Sequence, residues 1–270
     1  PYPDYFVRCI QSDPQGRIWV GLYNEQNPEN LLARFENGQW IYINPGVNDL
    51  DVLSITFDQQ GLLWFYGSEK VTRTGWYKYN GTTSEKVDYN LNVYGDPRQL
   101  SFSTDGRITG AGSTQFWYYQ NGVWSVYNNK EYTSAYFDEN NVAWVADDTG
   151  NLYRFAPNDP SPQFFMSRPE NFRTGEGESF WGIRIDATGK IWIGMNIGLF
   201  VIPDKNQMQA DFVPLTDLNT PGVPVSIAGH EDTIWTVKGS VLTRLVNGRF
   251  ERIVQPQTNI SALHYDTHRK

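Results

Sequence analysis

The sequence predicts an all-β fold in which one four-stranded sheet recurs along the chain. Three observations predict it. A short unit, Asp-x-x-Gly-x-Ile-Trp, returns at intervals of 35 to 48 residues. Every copy is flanked by the same set of short apolar runs. Between the last two runs of a unit the chain carries Asn-Gly at four places: Asn37-Gly38, Asn80-Gly81, Asn121-Gly122 and Asn247-Gly248. Recurrence at such a period marks a repeat architecture, which is sought before any single element.

Strong copies of the unit are "DPQGRIW" from Asp13, "DQQGLLW" from Asp58, "DENNVAW" from Asp138 and "DATGKIW" from Asp186. "STDGRIT" from Ser103 and "GHEDTIW" from Gly229 are degenerate copies, and a seventh opens at Asp266. Asp-x-x-Gly is a turn: the Asp side chain bonds backbone two residues on, and Gly accepts a positive φ. Asn141 stands where the fourth copy needs that Gly, and Asn is the next-best residue there.

Each element of the unit has its own signature. A first strand precedes the turn, as in "YFVRCIQS", "DVLSITF", "TSAYF" and "FWGIRI". A second follows it and is apolar on both sides, as expected of a strand covered on both faces. The third reads "LLARF", "GWYKY", "FWYYQ", "NLYRF", "GLFVI" or "VLTRL". Asn-Gly then suits a type I′ hairpin turn, and a fourth strand closes the unit. Four hairpin-linked strands repeated in this way make the blades of a β-propeller. The repeats run at about 5–48, 49–95, 96–130, 131–175, 176–222 and 223–258, with a partial seventh at 259–270. The expectation is a single domain over 1–270, seven-bladed in type, with six complete repeats; a six-bladed ring with a trailing strand is the alternative. The recurring Trp is expected to fill the gap between adjacent blades. The trailing first strand suggests a piece of a longer protein.

Composition agrees. Aromatic residues make up 15% of the 270, and hydrophobic residues 39%. Strands rich in aromatic and β-branched residues fit. The net charge is −8, from 22 basic and 30 acidic residues. No basic run is present to grip a phosphate backbone, so nucleic acid is not an expected partner. No apolar run reaches the length of a membrane span, and no membrane contact is expected from this segment. No basic-plus-apolar leader opens the sequence, so any signal peptide is expected to have been removed or to lie outside it. The single cysteine, Cys9, excludes an internal disulfide and reads as a buried structural thiol.

"DATGKIWIGMNIGLF" (186–200) resembles the two-component regulator propeller repeat, and the likeness runs through nearly the whole chain. The resemblance implies the periplasmic or extracellular sensing portion of a bacterial signalling protein, often one that detects carbohydrates. Streptogramin lyase is similar in its repeat, and it implies an alternative: a lyase or hydrolase that depends on His and Glu near one end of the propeller. The three histidines here, His230, His264 and His268, do not occupy matching repeat positions. A protein-interaction scaffold is the third reading.

No metal-ligand spacing, phosphate loop or nucleophile motif is present, so no metal, cofactor or catalytic residue is expected. Function in such a scaffold lies in loops. One face gathers the loops that enter each first strand and those that join second to third strands. The entering loops hold Asp49, Asp51, Arg98, Glu131, Glu178, Phe180 and Trp181. The joining loops hold Asn24, Glu25, Glu69, Lys70, Arg73, Asp147, Asp148, Asn196 and Lys238. Rings, carboxylates, Arg and Asn at a channel mouth suit a polar ligand such as an oligosaccharide. The expected binding residues are Glu25, Asp51, Arg73, Arg98, Glu131, Asp148, Trp181 and Asn196. Asp147 reads as a solvated loop carboxylate. A further propeller or signalling domain of the same protein is the other expected partner.

Overall fold

The structure, a computed structural model, describes residues 5–254 except 24–28, 30, 49, 69–73, 89–98, 113–114, 158, 170–179, 181, 187, 196–197, 215–223, 231–232, 239–240 and 247–248. The chain divides into two compact units, Pro1–Gln99 with Asp266–Lys270, and Leu100–Tyr265.

The first unit contains two antiparallel sheets. One is β1 (Phe6–Ser12), β2 (Ile18–Tyr23), β3 (Leu32–Glu36) and β4 (Gln39–Ile43). The other is β5 (Asp51–Phe57), β6 (Leu63–Ser68), β7 (Gly75–Tyr79) and β8 (Ser84–Lys86). The second unit carries four more. They are β9 (Gln99–Phe102) to β12 (Val123–Tyr127) through β10 (Ile108–Gly112) and β11 (Gln115–Gln120); β13 (Tyr132–Phe137), β14 (Ala143–Asp147), β15 (Asn151–Ala156) and β16 (Asp159–Ser167); β17 (Gly182–Ile185), β18 (Ile191–Met195), β19 (Gly198–Ile202) and β20 (Asp211–Pro214); and β21 (Pro224–His230), β22 (Thr233–Lys238), β23 (Val241–Val246) and β24 (Arg249–Val254). In every sheet the strand order is the chain order.

The expectation of a seven-bladed type with a partial seventh repeat is corrected. The described residues form six four-stranded sheets, one for each complete repeat. Residues 259–270, where the extra strand was expected, lie outside the described residues.

The four strong copies of the repeat unit fold the same way. Asp13 Oδ1 accepts the backbone N–H groups of Gln15 (3.0 Å) and Arg17 (2.9 Å), while Oδ2 accepts Trp19 Nε1 (2.9 Å). Asp58 with Trp64, Asp138 with Trp144 and Asp186 with Trp192 repeat the indole bond at 3.0, 3.1 and 2.8 Å. Gly16, Gly61 and Gly189 take φ of 74°, 76° and 83°, and Asn141 takes 60° in the glycine's place. The aspartate therefore does two jobs. It satisfies the turn's orphan amides, and it fixes the direction of an indole six residues on.

That indole packs across to the next sheet. Trp19 meets Phe57 of the second sheet edge-on at 5.9 Å. Trp144 lies in a core with Ile183 and Ile191 of the fifth sheet, and Trp192 in one with Ile234 and Leu245 of the sixth. The opposite faces of one strand serve different neighbours. On β14, Ala143 and Val145 join the core shared with Phe116 of the third sheet, while Trp144 and Ala146 join the one shared with the fifth. This explains why second strands are apolar throughout. A cation from the third strand covers several indoles: Arg34 over Trp19 (5.3 Å), Lys78 over Trp64 (4.6 Å) and Arg244 over Trp235 (5.6 Å).

Close approach is also built in. A Cβ on Gly21 would stand 2.6 Å from Val52 Cγ1 and 2.8 Å from Val52 O, so β2 and β5 meet at a distance only glycine permits. Serines pin successive first strands: Ser101 Oγ accepts Phe137 N and Ser134 Oγ accepts Ile183 N, both at 3.1 Å.

The Asn-Gly turns divide. Asn37 (φ 52°) with Gly38 (80°), and Asn121 (53°) with Gly122 (82°), have the two positive φ angles of a type I′ turn. Asn80 instead opens a longer turn, in which its Oδ1 accepts Thr82 N and Thr83 N, both at 2.9 Å. Asn247-Gly248 lies outside the described residues.

Candidate functional site

Five of the eight expected binding residues, Glu25, Arg73, Arg98, Trp181 and Asn196, lie outside the described residues, as do Asn24, Asp49, Glu69, Lys70 and Glu178. Asp51, Glu131 and Asp148 are described. Asp51 opens β5 in the first unit, and its Oδ1 accepts Arg8 Nε at 2.9 Å. Arg8 also lies over the Tyr23 ring at 5.2 Å. This carboxylate therefore ties the first sheet to the second.

Glu131 and Asp148 come together in the second unit. Glu131 immediately precedes β13, Asp148 follows β14, and Asp148 N donates to Glu131 O at 2.9 Å. Their side chains differ in exposure: Glu131 is exposed and Asp148 half-buried. The loop entering the fourth sheet is thus fastened to the loop that joins that sheet's second and third strands.

Around this junction stands a set of side chains the sequence reading missed. Asp147, read as a solvated loop carboxylate, is buried at 1% exposure, which corrects that expectation. Its Oδ1 accepts Thr149 N (3.1 Å) and Asn151 N (2.8 Å). Its Oδ2 accepts the Tyr153 hydroxyl at 3.1 Å. Lys130 Nζ donates to that same hydroxyl, stands 3.8 Å from Asp147 Oδ2 and lies 4.9 Å from the Tyr153 ring centroid. Tyr132 packs edge-on against Tyr153 at 6.2 Å, and its hydroxyl donates to Asn129 Oδ1 at 3.0 Å.

A local signal for this cluster exists. "DDTGNLY" (147–153) has Gly at the third position and an aromatic at the sixth after Asp147, the spacing of the repeat turn. Gly150 takes φ 83°, and Tyr153 replaces the indole as donor to the aspartate. The fourth sheet therefore carries the device at both ends.

The electrostatics follow from the contacts. The hydrogen bond to Tyr153, aided by the charge on Asp147, holds the Lys130 ammonium above its ordinary value of 10.5 against desolvation. Burial pushes the Tyr153 phenol above its ordinary 10.0, opposed by the bond from Lys130. At neutral pH Lys130 is an ammonium and Tyr153 a neutral phenol. Of this set Lys130 and Glu131 are exposed, while Tyr132 and Tyr153 are buried at 2% and 6%.

Phe180, placed among the mouth residues, is fully buried and packs on Phe200 at 5.5 Å; its neighbours in the fifth sheet are apolar, so it is a core residue. Cys9 is half-buried, with Sγ 3.5 Å from Val52 O, and burial pushes its thiol up to about 12. His230 ends β21, while His264 and His268 lie outside the described residues. Among the described residues no three His, Cys, Asp or Glu side chains stand together as a metal site would need. No helix among them is long and apolar enough to cross a membrane.

Comparison with known proteins places the repeat. Residues 1–24 match the profile of the two component regulator propeller. No curated protein matches the chain by sequence. Among solved structures, the chain is similar to the extracellular domains of two B. thetaiotaomicron proteins described as hybrid two component systems. One is 15% identical, with a TM-score of 0.74, over 98% of this chain and 36% of that one. The other is 17% identical, with a TM-score of 0.65, over 93% and 34%. The chain therefore spans about a third of the length of those domains. It is also similar to a catalytically inactive virginiamycin B lyase from Staphylococcus aureus, solved with quinupristin. Here identity is 13% and the TM-score 0.73, over 95% of this chain and 86% of the lyase. At these identities the likeness concerns the fold.

Proposed function

We propose that this chain is an extracytoplasmic sensing propeller, part of a larger signalling protein. It binds a polar ligand such as a carbohydrate at its loop face and does not turn it over. The carrying observation is the two component regulator propeller repeat at residues 1–24, in a chain whose fold runs through 98% of its length like an extracellular domain of such a system. At the joined loops of Glu131 and Asp148, the exposed Glu131 and Lys130 supply an acceptor and a donor for a hydroxyl-bearing ligand. A signalling or further propeller domain of the same protein is the partner that receives the signal.

The virginiamycin B lyase likeness favours a second reading, that of a lyase or hydrolase, because it covers most of both chains. One experiment separates the two. The full chain is melted with a panel of oligosaccharides, and a ligand selective for the folded state raises the Tm. The same chain is incubated with quinupristin and followed by chromatography. Ligand-dependent melting without a new product upholds the sensor. Conversion of quinupristin, with no melting response to any glycan, replaces it by the enzyme.

A further inference from the structure

We propose that the outer part of the seam between the third and fourth sheets is a sugar subsite, in which a neutral pyranose lies on the ring of Phe164 and bonds the Lys130 ammonium and the Asn129 carboxamide. This inference rests on the sensor reading and gives it a position. Phe164 stands on β16, opposite Tyr153 in the register. It is 57% exposed, although its neighbours Phe165 and Met166 are buried at 3% and 8%. The reason is a register shift: the irregularity between Leu152 and Tyr153 in the β15–β16 pairing sends Phe165 and Met166 into the core shared with the fifth sheet. Phe164 is left on the side that faces the third sheet.

β16 runs nine residues, whereas β12, the outer strand of the third sheet, runs five. The ring of Phe164 meets Tyr153 edge-on at 6.0 Å. Lys130 lies over that same Tyr153 ring and bonds its hydroxyl. An exposed ring and an ammonium whose side chain is 41% exposed therefore flank one phenol. An ammonium has three donors; Tyr153 takes one and Asp147 lies along a second. Asn129, next in the chain, is exposed and turned toward Tyr132.

Chemistry selects the occupant. A flat apolar ring beside hydrogen-bonding groups fits a ligand with one apolar face and a rim of hydroxyls, which is a pyranose. Charge selects neutrality. Lys130 is answered by Asp147, and Glu131 and Asp148 stand nearby, so a uronate would meet net negative charge.

The test uses the full chain and named probes: hexaoses of glucose, mannose and xylose, with polygalacturonate as the anionic probe. One neutral hexaose is expected to bind. Phe164→Ala is expected to weaken it tenfold or more, Phe164→Tyr to keep it within threefold, and Lys130→Met to weaken it several-fold. Phe164 is mostly exposed, so an unchanged Tm without ligand confirms that the alanine variant is folded. A neutral hexaose that binds Phe164→Ala as well as the parent overturns the subsite and leaves the sensor reading standing. Binding of polygalacturonate alone overturns the choice of a neutral sugar. Binding of no glycan overturns the subsite together with the carbohydrate reading on which it rests.

Discussion

Asp186 shows what one carboxylate contributes. Oδ1 holds the amides of Thr188 and Lys190 at 2.9 and 3.1 Å, and Oδ2 holds Trp192 Nε1 at 2.8 Å. An asparagine there has one acceptor oxygen, so either the turn or the indole loses its partner. Leaving such a buried donor unmade costs about 1–3 kcal/mol. Asp186→Asn should lower stability by about that amount, measured as the urea midpoint. In a cycle with Trp192→Phe the two changes should couple by about 0.5–3 kcal/mol, because they share one bond. Additive losses would mean that the bond contributes nothing of its own. Gly21 makes a different demand. Its missing Cβ is what lets Val52 approach, and overfilling a packed contact costs about 1–3 kcal/mol. Gly21→Ala should lower the Tm by several degrees, whereas Gly38→Ala meets nothing within 4 Å and is penalised only through its φ of 80°.

At the scale of the element, the turns carry the predictions. Burial alone would raise the Asp13 carboxyl. The hydrogen bonds from Trp19, then from the Arg17 backbone and guanidinium, outweigh it and hold the group below its ordinary 3.8. A depressed folded value means that the stabilisation is complete above 3.8 and is lost as the pH falls through the lower, folded value. The urea midpoint of the parent should therefore drop below about pH 4 more steeply than that of Asp13→Asn, with the two converging at the acid end. The hairpin turns discriminate further. Asn37 sits at φ 52°, which a β-branched residue resists. Asn37→Val should cost about 1 kcal/mol or more, and Asn37→Gly should be nearly neutral. Asn80, held by Thr82 and Thr83 in an ordinary backbone conformation, should not show this contrast.

At the scale of the molecule, the first unit offers its own reporter. Cys9 Sγ packs on Val52 O, and its thiol is pushed up to about 12. At pH 8 almost no thiolate forms, so an aromatic disulfide reagent should react far more slowly than with a free thiol. The rate should rise in step with denaturant unfolding of Pro1–Gln99. Fast reaction in native buffer would mean that the contact between β1 and β5 is open. The sheets were legible in the chain because four copies repeat one local grammar in full, an Asp turn, an indole six residues on and a strand apolar on both sides, and the copies at Ser103 and Gly229 keep enough of it to be aligned. These are short-range rules of dihedral angle and hydrogen bonding, and a sequence carries them directly. The loop residues were less legible. Glu131 and Asp148 could be assigned to one face from strand order, yet their bond, the burial of Asp147 and the capture of Tyr153 by Lys130 depend on two loops meeting across 17 positions. Phe164 was not visible at all, since a register shift decides which of two adjacent phenylalanines is buried. The sequence by itself determined the repeated sheet, its turns and the indoles that wedge it against the next. Only the tertiary structure decided which polar and aromatic side chains share a site, because this follows from packing between segments distant in the chain, where no local rule applies.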